Sequence, residues 1–165
     1  MAEPNIAPLS QDVNTADLYD GRGEELDSVS LQFQDLGGRT HFSGPVRTIR
    51  CLEDNALVKS TLATPGDGAV LVVDGGGSLR TALMGDLIAA SAVANGWAGV
   101  VINGAIRDRQ AIAGLDLGVK ALGSNPRKSS KAGTGETDVD LDLDGVRIRP
   151  GARIWCDPDG ILVER

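Results

Sequence analysis

The sequence predicts a mixed α/β fold with a parallel βαβα centre and C-terminal β-hairpins. Residues 69–73 (AVLVV) and 99–102 (GVVI) are short, continuously apolar runs bounded by glycine, as expected of strands buried on both faces of a parallel sheet. Each is followed by a turn and a helical segment, opening at Asp86 and at Asp108. Farther on, Val139, Leu141 and Leu143 alternate with polar residues up to Asp144-Gly145, and Val146 and Ile148 alternate beyond it, which signals a hairpin.

In chain order, residues 14–19 (NTADLY) read as a short helix with Asn14 or Thr15 as N-cap. The alternation in residues 31–40, and then Val46, Ile49 and Leu52 around Arg47 and Arg50, predicts strands broken at Gly37-Gly38 and at Pro45. A helix is expected over 55–63. The buried strand at 69–73 ends in DGGGSLR, and the next helix, 86–95, is small and apolar nearly all round until Gly96 stops it. After the second buried strand, 99–102, a turn is expected over 104–106 before the helix from Asp108. Asp157-Pro158-Asp159-Gly160 marks another turn, between Ile154 and Ile161. Strands in a βαβα unit run parallel with right-handed crossovers, and ligands gather at their carboxyl ends.

A chain of 165 residues is long enough for a sizeable core, and one domain over 1–165 is expected, with residues 1–13 a disordered N-terminal tail. Hydrophobic residues make up 41% against 24% charged, and no apolar run approaches the roughly 20 residues that cross a bilayer. Residues 1–11 lack the basic and apolar regions of a signal peptide, so a cytoplasmic location is expected. Cys51 and Cys156 form no CxxC, and His41 is the sole histidine, which argues against zinc and against a disulfide framework. Both cysteines read as buried thiols, and His41 and Trp97 as surface or packing residues. A net charge of -7 with 3% aromatics argues against direct nucleic-acid binding, which needs cations for phosphates and rings for bases. The basic cluster Arg127, Lys128 and Lys131 falls in the Ser/Gly-rich stretch 124–137 and reads as a mobile, solvated loop, with an anion-guiding or partner-docking loop as the alternative.

The turn VVDGGGSLR lacks the lysine of a P-loop and the third glycine of a dinucleotide fingerprint, since Arg80 stands there. It resembles an adenosylmethionine loop superficially; the plainer reading is glycines that permit positive φ and close packing. Gly85-Asp86-Leu87-Ile88 carries more chemistry. Glycine allows close approach, and the first amides of a helix are donors without intrahelical acceptors, suited to a carboxylate or phosphate. Asp86 alone, or Asp108 alone, reads as an ordinary cap. Arg107 beside Asp108, at the end of a buried strand, shifts the balance, because a guanidinium can hold a carboxylate through two parallel hydrogen bonds. Two carboxylates without soft ligands suit Mg2+ or Mn2+, which keep several waters and take substrate oxygens.

Three segments, LGGRTHFSGPVRTIRCLEDN (36–55), VLVVDGGGSLRTALMGD (70–86) and GVVINGAIRD (99–108), together with Asp86, twenty intervening residues and Arg107-Asp108, resemble the RraA-like family. The resemblance runs from about Thr15 to Val163. That family includes 4-hydroxy-4-methyl-2-oxoglutarate aldolases and regulators of ribonuclease E. It implies a swivelling β/β/α fold and a homotrimer, or a dimer of trimers, with sites at subunit interfaces. It also implies a small 2-oxo acid as substrate, its carboxylate on the backbone of Gly85, Asp86, Leu87 and Ile88, with the Leu87 and Ile88 amides as principal donors. Asp108 would then ligate the metal directly and Asp86 through water, while Arg107 would contact the keto oxygen or carboxylate and stabilise the enolate. Retro-aldol cleavage and oxaloacetate decarboxylation share that enolate. Larger aldolases of the family carry a C-terminal extension that gives an acid to a neighbouring site, whereas this sequence stops at Arg165 with only Glu164 nearby; decarboxylation is therefore the better supported activity. The alternative is a protein-binding regulator, its acidic surface engaging a basic, disordered region of ribonuclease E.

Overall fold

The computed structural model describes residues 13–165. Of the tail expected over 1–13, all but Val13 lies outside the described residues. In chain order the elements are α1 (Thr15–Arg22), β1 (Leu26–Ser28), β2 (Gln34–Asp35), β3 (Phe42–Arg50), α2 (Ala56–Leu62), β4 (Val70–Asp74), α3 (Asp86–Ala94), β5 (Gly99–Ile106), α4 (Arg109–Ala113), β6 (Gly118–Ser124), β7 (Glu136–Thr137), β8 (Leu141–Leu143), β9 (Val146–Ile148), β10 (Arg153–Asp157) and β11 (Gly160–Glu164). One sheet runs β1-β11-β10-β3-β4-β5-β6-β2, with β7 beside β3. Its centre, β3 to β6, is parallel, and the flanking pairs are antiparallel.

The period of two in β4 divides the core. Leu71 and Val73 pack with Val58 and Leu62 of α2, Ala89 and Ala92 of α3, and Ile112 of α4. Val70 and Val72 face the other way, toward Leu141, Leu143 and Ile148 of the β8–β9 hairpin and Ile154 and Ile161 beyond. These three helices thus cover one face and β-structure the other, in a mixed α/β fold with layers in the order β/β/α. Both faces of the central strands are covered, which accounts for their uninterrupted apolar runs. Phe42, fully buried, lies across Gly99 and Gly118, which are partners on β5 and β6; a Cβ at either would come within 2.4 or 2.1 Å of its ring. Among the described residues no helix is long and apolar enough to cross a membrane.

Most predicted elements are present. Asn14 caps α1, its side chain accepting from the Asp17 amide at 3.0 Å. The buried Thr15 donates through its amide and its hydroxyl to the Asp157 carboxylate, each at 2.7 Å, which ties α1 to the end of β10. Burial raises the Asp157 carboxyl, but these bonds and the amides of Asp159 and Gly160 outweigh it and hold the group below its ordinary value. The hairpin at Asp144-Gly145 has both residues at positive φ, 53° and 88°, as a two-residue connection with right-handed twist requires.

Four expectations need correction. Pro45 does not break a strand: β3 runs through it. Val46 bonds toward β10, donating to Ala152, so by alternation the nitrogen of Pro45 points to the β4 side, where pairing starts only at Val46. Leu52 follows the end of β3 and is exposed. The turn expected over 104–106 belongs to β5, which continues past an irregularity between Ile102 and Ala105. The stretch 118–124 forms β6, which the sequence reading passed over because glycine, Lys120 and serine interrupt its apolar pattern. Lys120 is fully buried there and ion-paired to Asp35 at 2.9 Å. Cys51 and Cys156 are buried free thiols; burial pushes Cys51 up to about 12 and raises Cys156 as well, so neither is a ready thiolate. Trp97 is buried and donates to the Thr64 carbonyl, while His41 is half-buried against the Thr40 hydroxyl.

Candidate functional site

At the carboxyl ends of β4 and β5, three stretches of chain are bonded side by side. The Leu83 amide donates to Ala105 and the Arg107 amide to Met84, while the Ala82 amide donates to Arg127. Ala82 thereby bridges both Ala105 and Lys128 in parallel register. The buried Ser129 hydroxyl donates to the Ala82 carbonyl at 2.7 Å and lies 2.7 Å from the Thr81 hydroxyl. This backbone zipper delivers the start of α3, the Arg107-Asp108 pair and the basic segment to one place. They line a cavity of about 270 Å³ together with Asn55 and Lys59. Gly85, Asp86, Leu87, Ile88, Arg107 and Asp108 are all in its wall.

Within this group the capping differs from the expectation. Asp86 is the first helical residue of α3, and Gly85 stands at the N-cap without a side chain to give. Asp108 supplies the missing acceptor from 22 residues away: its Oδ2 accepts the Asp86 amide at 3.0 Å. It makes no side-chain bond to its own helix, α4. Asp108 adopts the left-handed conformation, φ 61° and ψ 45°, which lets the chain turn from β5 into α4 while the carboxylate reaches back to α3. Such a backbone costs about 1–2 kcal/mol for most residues, least for Asp and Asn, and it recurs at functional sites. A Cβ on Gly85 would lie 2.8 Å from Asp108 Oδ2, so only glycine leaves that carboxylate its place. Asp86 N–H is thus occupied, and the next two amides, of Leu87 and Ile88, have no intrahelical acceptor because the first such bond joins Ala89 to Gly85. Arg107 holds its Nε 4.0 Å from Asp108 Oδ2 and donates from Nη1 to the Pro126 carbonyl at 3.4 Å, with its side chain 41% exposed.

The basic segment is not a free linker. Asp54, 1% exposed, accepts from the amides of Ala132, Gly133 and Thr134 and from the hydroxyls of Ser130 and Thr134, while capping α2 through the Ala56 amide. Burial raises the Asp54 carboxyl, but the amides of Ala56, Thr134 and Gly133 and the Thr134 hydroxyl more than reverse this and hold it at about 2. The folded value lies below the unfolded one of about 4, so the stabilisation is whole above pH 4 and disappears as the pH falls toward 2. Asp54→Asn is expected to cost about 2 kcal/mol at pH 7, the worth of hydrogen bonds to a charged group, with the difference from the parent shrinking to near zero at pH 2. Urea unfolding of both proteins across that range checks it; a difference independent of pH would mean that the charge of Asp54 does not hold the loop.

Asn55 and Lys59 are lining residues that the sequence reading missed, whereas Lys128 and Lys131, read there chiefly as part of a solvated loop with an anion-guiding loop as the alternative, also line the cavity. The available signal was compositional: an acidic chain with only four lysines places two of them in one short Ser/Gly stretch. The glycine-rich turn is structural, as its plainer reading held. Asp74 Oδ1 accepts the Gly76 amide and the Asn103 side-chain amide, and the amides of Gly75 and Gly77 both donate to the Asn103 carbonyl. Among the described residues no three His, Cys, Asp or Glu side chains form a metal cage. The donor set in the cavity is two carboxylates, all oxygen, which fits only a hard cation that keeps most of its water, Mg2+ or Mn2+.

A family model described as RraA-like, Aldolase/RraA, matches residues 15–163. The chain belongs to the RraA-like family. Among similar solved structures, one from Geobacillus kaustophilus, titled an S-adenosylmethionine:2-dimethylmenaquinone methyltransferase, is 48% identical with a TM-score of 0.91 over 92% of this chain and 94% of that one. The RNA-processing inhibitor RraA from Thermus thermophilis is 47% identical with a TM-score of 0.89, covering 92% of each chain. A more distant structure from Streptomyces coelicolor, described as an unusual member of the RNase ES inhibitor RraA protein family, is 25% identical with a TM-score of 0.75 over 93% of this chain and 82% of that one. The family therefore joins lyases and ribonuclease inhibitors on one fold, and the fold does not choose between them.

Proposed function

We propose that this RraA-like chain is a divalent-metal-dependent lyase that cleaves 4-hydroxy-4-methyl-2-oxoglutarate to pyruvate by retro-aldol chemistry and decarboxylates oxaloacetate through the same enolate. The observation that carries this reading is Asp108, held in left-handed backbone beside Arg107 with its carboxylate on the open N-terminus of α3. The Leu87 and Ile88 amides would take the substrate's 1-carboxylate, helped by the positive end of the α3 dipole. Arg107 would hold the keto oxygen and stabilise the negative charge that develops there. A divalent cation, bound by Asp108 directly and by Asp86 through water, would act as a Lewis acid. When the C3–C4 bond breaks, its electron pair enters the enolate, which is then protonated at carbon to give pyruvate. The hydroxyl proton of the aldol substrate would pass to water, since no imidazole lines the cavity. Pyruvate release from both substrates with Mg2+, Mn2+ or chelator tests this. Metal-dependent release is expected, and silence on both would overturn the reading.

A second reading rests on the 47% identity to the Thermus inhibitor. As a ribonuclease regulator the chain would present its acidic surface to a basic segment of the enzyme, with affinity falling as salt rises. Titration against the cognate ribonuclease at low and at physiological salt checks this; no binding at low salt removes it.

A further inference from the structure

Four lysines occur in the whole sequence. Lys120 is buried and paired with Asp35, the one lysine ion pair among the described residues. The other three, Lys59, Lys128 and Lys131, come from two separate parts of the chain and line the same cavity as Arg107. In a protein of net charge -7 this concentrates four cations against two carboxylates at a single mouth. Lysines that serve solubility scatter over a surface, whereas lysines gathered at a concave site focus a field that draws anions. Two features fix Lys131 and Lys128. Lys131 Nζ donates to the buried Asn55 side chain at 3.3 Å, and the buried Asp54 carboxylate clamps the loop on which Lys131 sits. Lys128 is held by the bridge to Ala82, which lines the same cavity three residues before Gly85.

We propose that Lys59, Lys128 and Lys131, lining the same cavity as the α3 amides, form a second anion-binding pole that reads the distal carboxylate of a dicarboxylic 2-oxo acid. This rests on the oxo-acid reading of the site and adds to it the residues that set substrate class. A cavity of about 270 Å³ is small by the standard of ligand sites, and a short acid bound at one end by helix amides must bring its other end close to the wall. A dicarboxylate meets ammonium groups there; a monocarboxylate of equal length leaves them facing an apolar methyl. The three lysines therefore discriminate mainly through binding.

The test compares two ligands that differ only in the distal group and carry no cleavable bond, 2-oxoglutarate and 2-oxopentanoate. Each is titrated calorimetrically into the full chain in Mg2+. The parent protein is expected to favour 2-oxoglutarate by tenfold or more. Lys59→Ala/Lys128→Ala/Lys131→Ala should bring the ratio close to one by weakening 2-oxoglutarate alone, and Lys131→Arg should retain most of the preference because the charge remains. Equal affinities in the parent, or a preference that survives the triple substitution, would overturn the proposal. Failure of both ligands to bind would sink it together with the oxo-acid reading. A lysine-dependent preference in a protein that releases no pyruvate from oxaloacetate would leave this pole standing and remove the lyase.

Discussion

Asp108→Asn is expected to lower metal-dependent pyruvate release by about 10²–10³-fold, the loss typical when one group that stabilises transition-state charge is removed. Asparagine is the informative replacement because it separates the two duties of this residue. Its side-chain oxygen can still accept the Asp86 amide now bonded at 3.0 Å, so α3 keeps its cap. It also tolerates the left-handed backbone at φ 61°. Only the negative charge is lost, and with it the proposed direct ligand for the cation. Unfolding by urea should therefore be unchanged to within about 0.5 kcal/mol. Asp108→Ala, by contrast, forfeits the cap and strains the backbone, so its loss of activity would come mixed with a loss of stability of about 1–2 kcal/mol. Full turnover in a stable Asp108→Asn protein would remove Asp108 from the chemistry and leave it a structural cap.

Those two duties also explain how much of the site was legible. The elements came through because their signals are local: the runs at 69–73 and 99–102 are apolar since helices cover one side of the sheet and a hairpin the other. The Asp144-Gly145 turn is a matter of two positive φ angles. Gly85 to Ile88 and Arg107-Asp108 stand out for a similar reason, each lying where a strand or loop meets a helix. What the sequence could not reveal depends on partners distant along the chain. That Asp108 caps α3 rather than α4, and that Asp54 orders residues 130–134, are contacts across 22 and more than 75 residues. Pro45 misled because whether a missing N–H matters depends on which neighbouring strand it faces. The Ser/Gly composition of 124–137 suggested mobility, yet those small residues let the loop close around a buried carboxylate and carry Lys128 and Lys131 to the cavity.

Arg107→Ala is expected to cost about as much activity as the Asp108 variant, with the loss in kcat rather than in KM. The reasoning turns on when the charge appears. On the proposed reading the keto oxygen is neutral in the ground state and the 1-carboxylate would be served by the Leu87 and Ile88 amides, so removing the guanidinium should take little from substrate binding. As the C3–C4 bond opens, charge grows on the keto oxygen, and a positioned cation is worth most then. Its position is specified on both sides: Nη1 is tethered to the Pro126 carbonyl, and Nε lies 4.0 Å from Asp108. Lysine has the charge but not the planar fork, and cannot satisfy Pro126 and face the cavity at once. Arg107→Lys should therefore recover only a minor part of the loss. Exchange of the pyruvate methyl protons with solvent deuterium isolates enolate formation from C–C cleavage, and it should fall in parallel with kcat in both variants. Normal exchange with impaired cleavage would assign Arg107 to the departing half of the substrate instead of the enolate. A rise in KM alone would make it one more carboxylate anchor, and the enolate would then have no protein cation beside it.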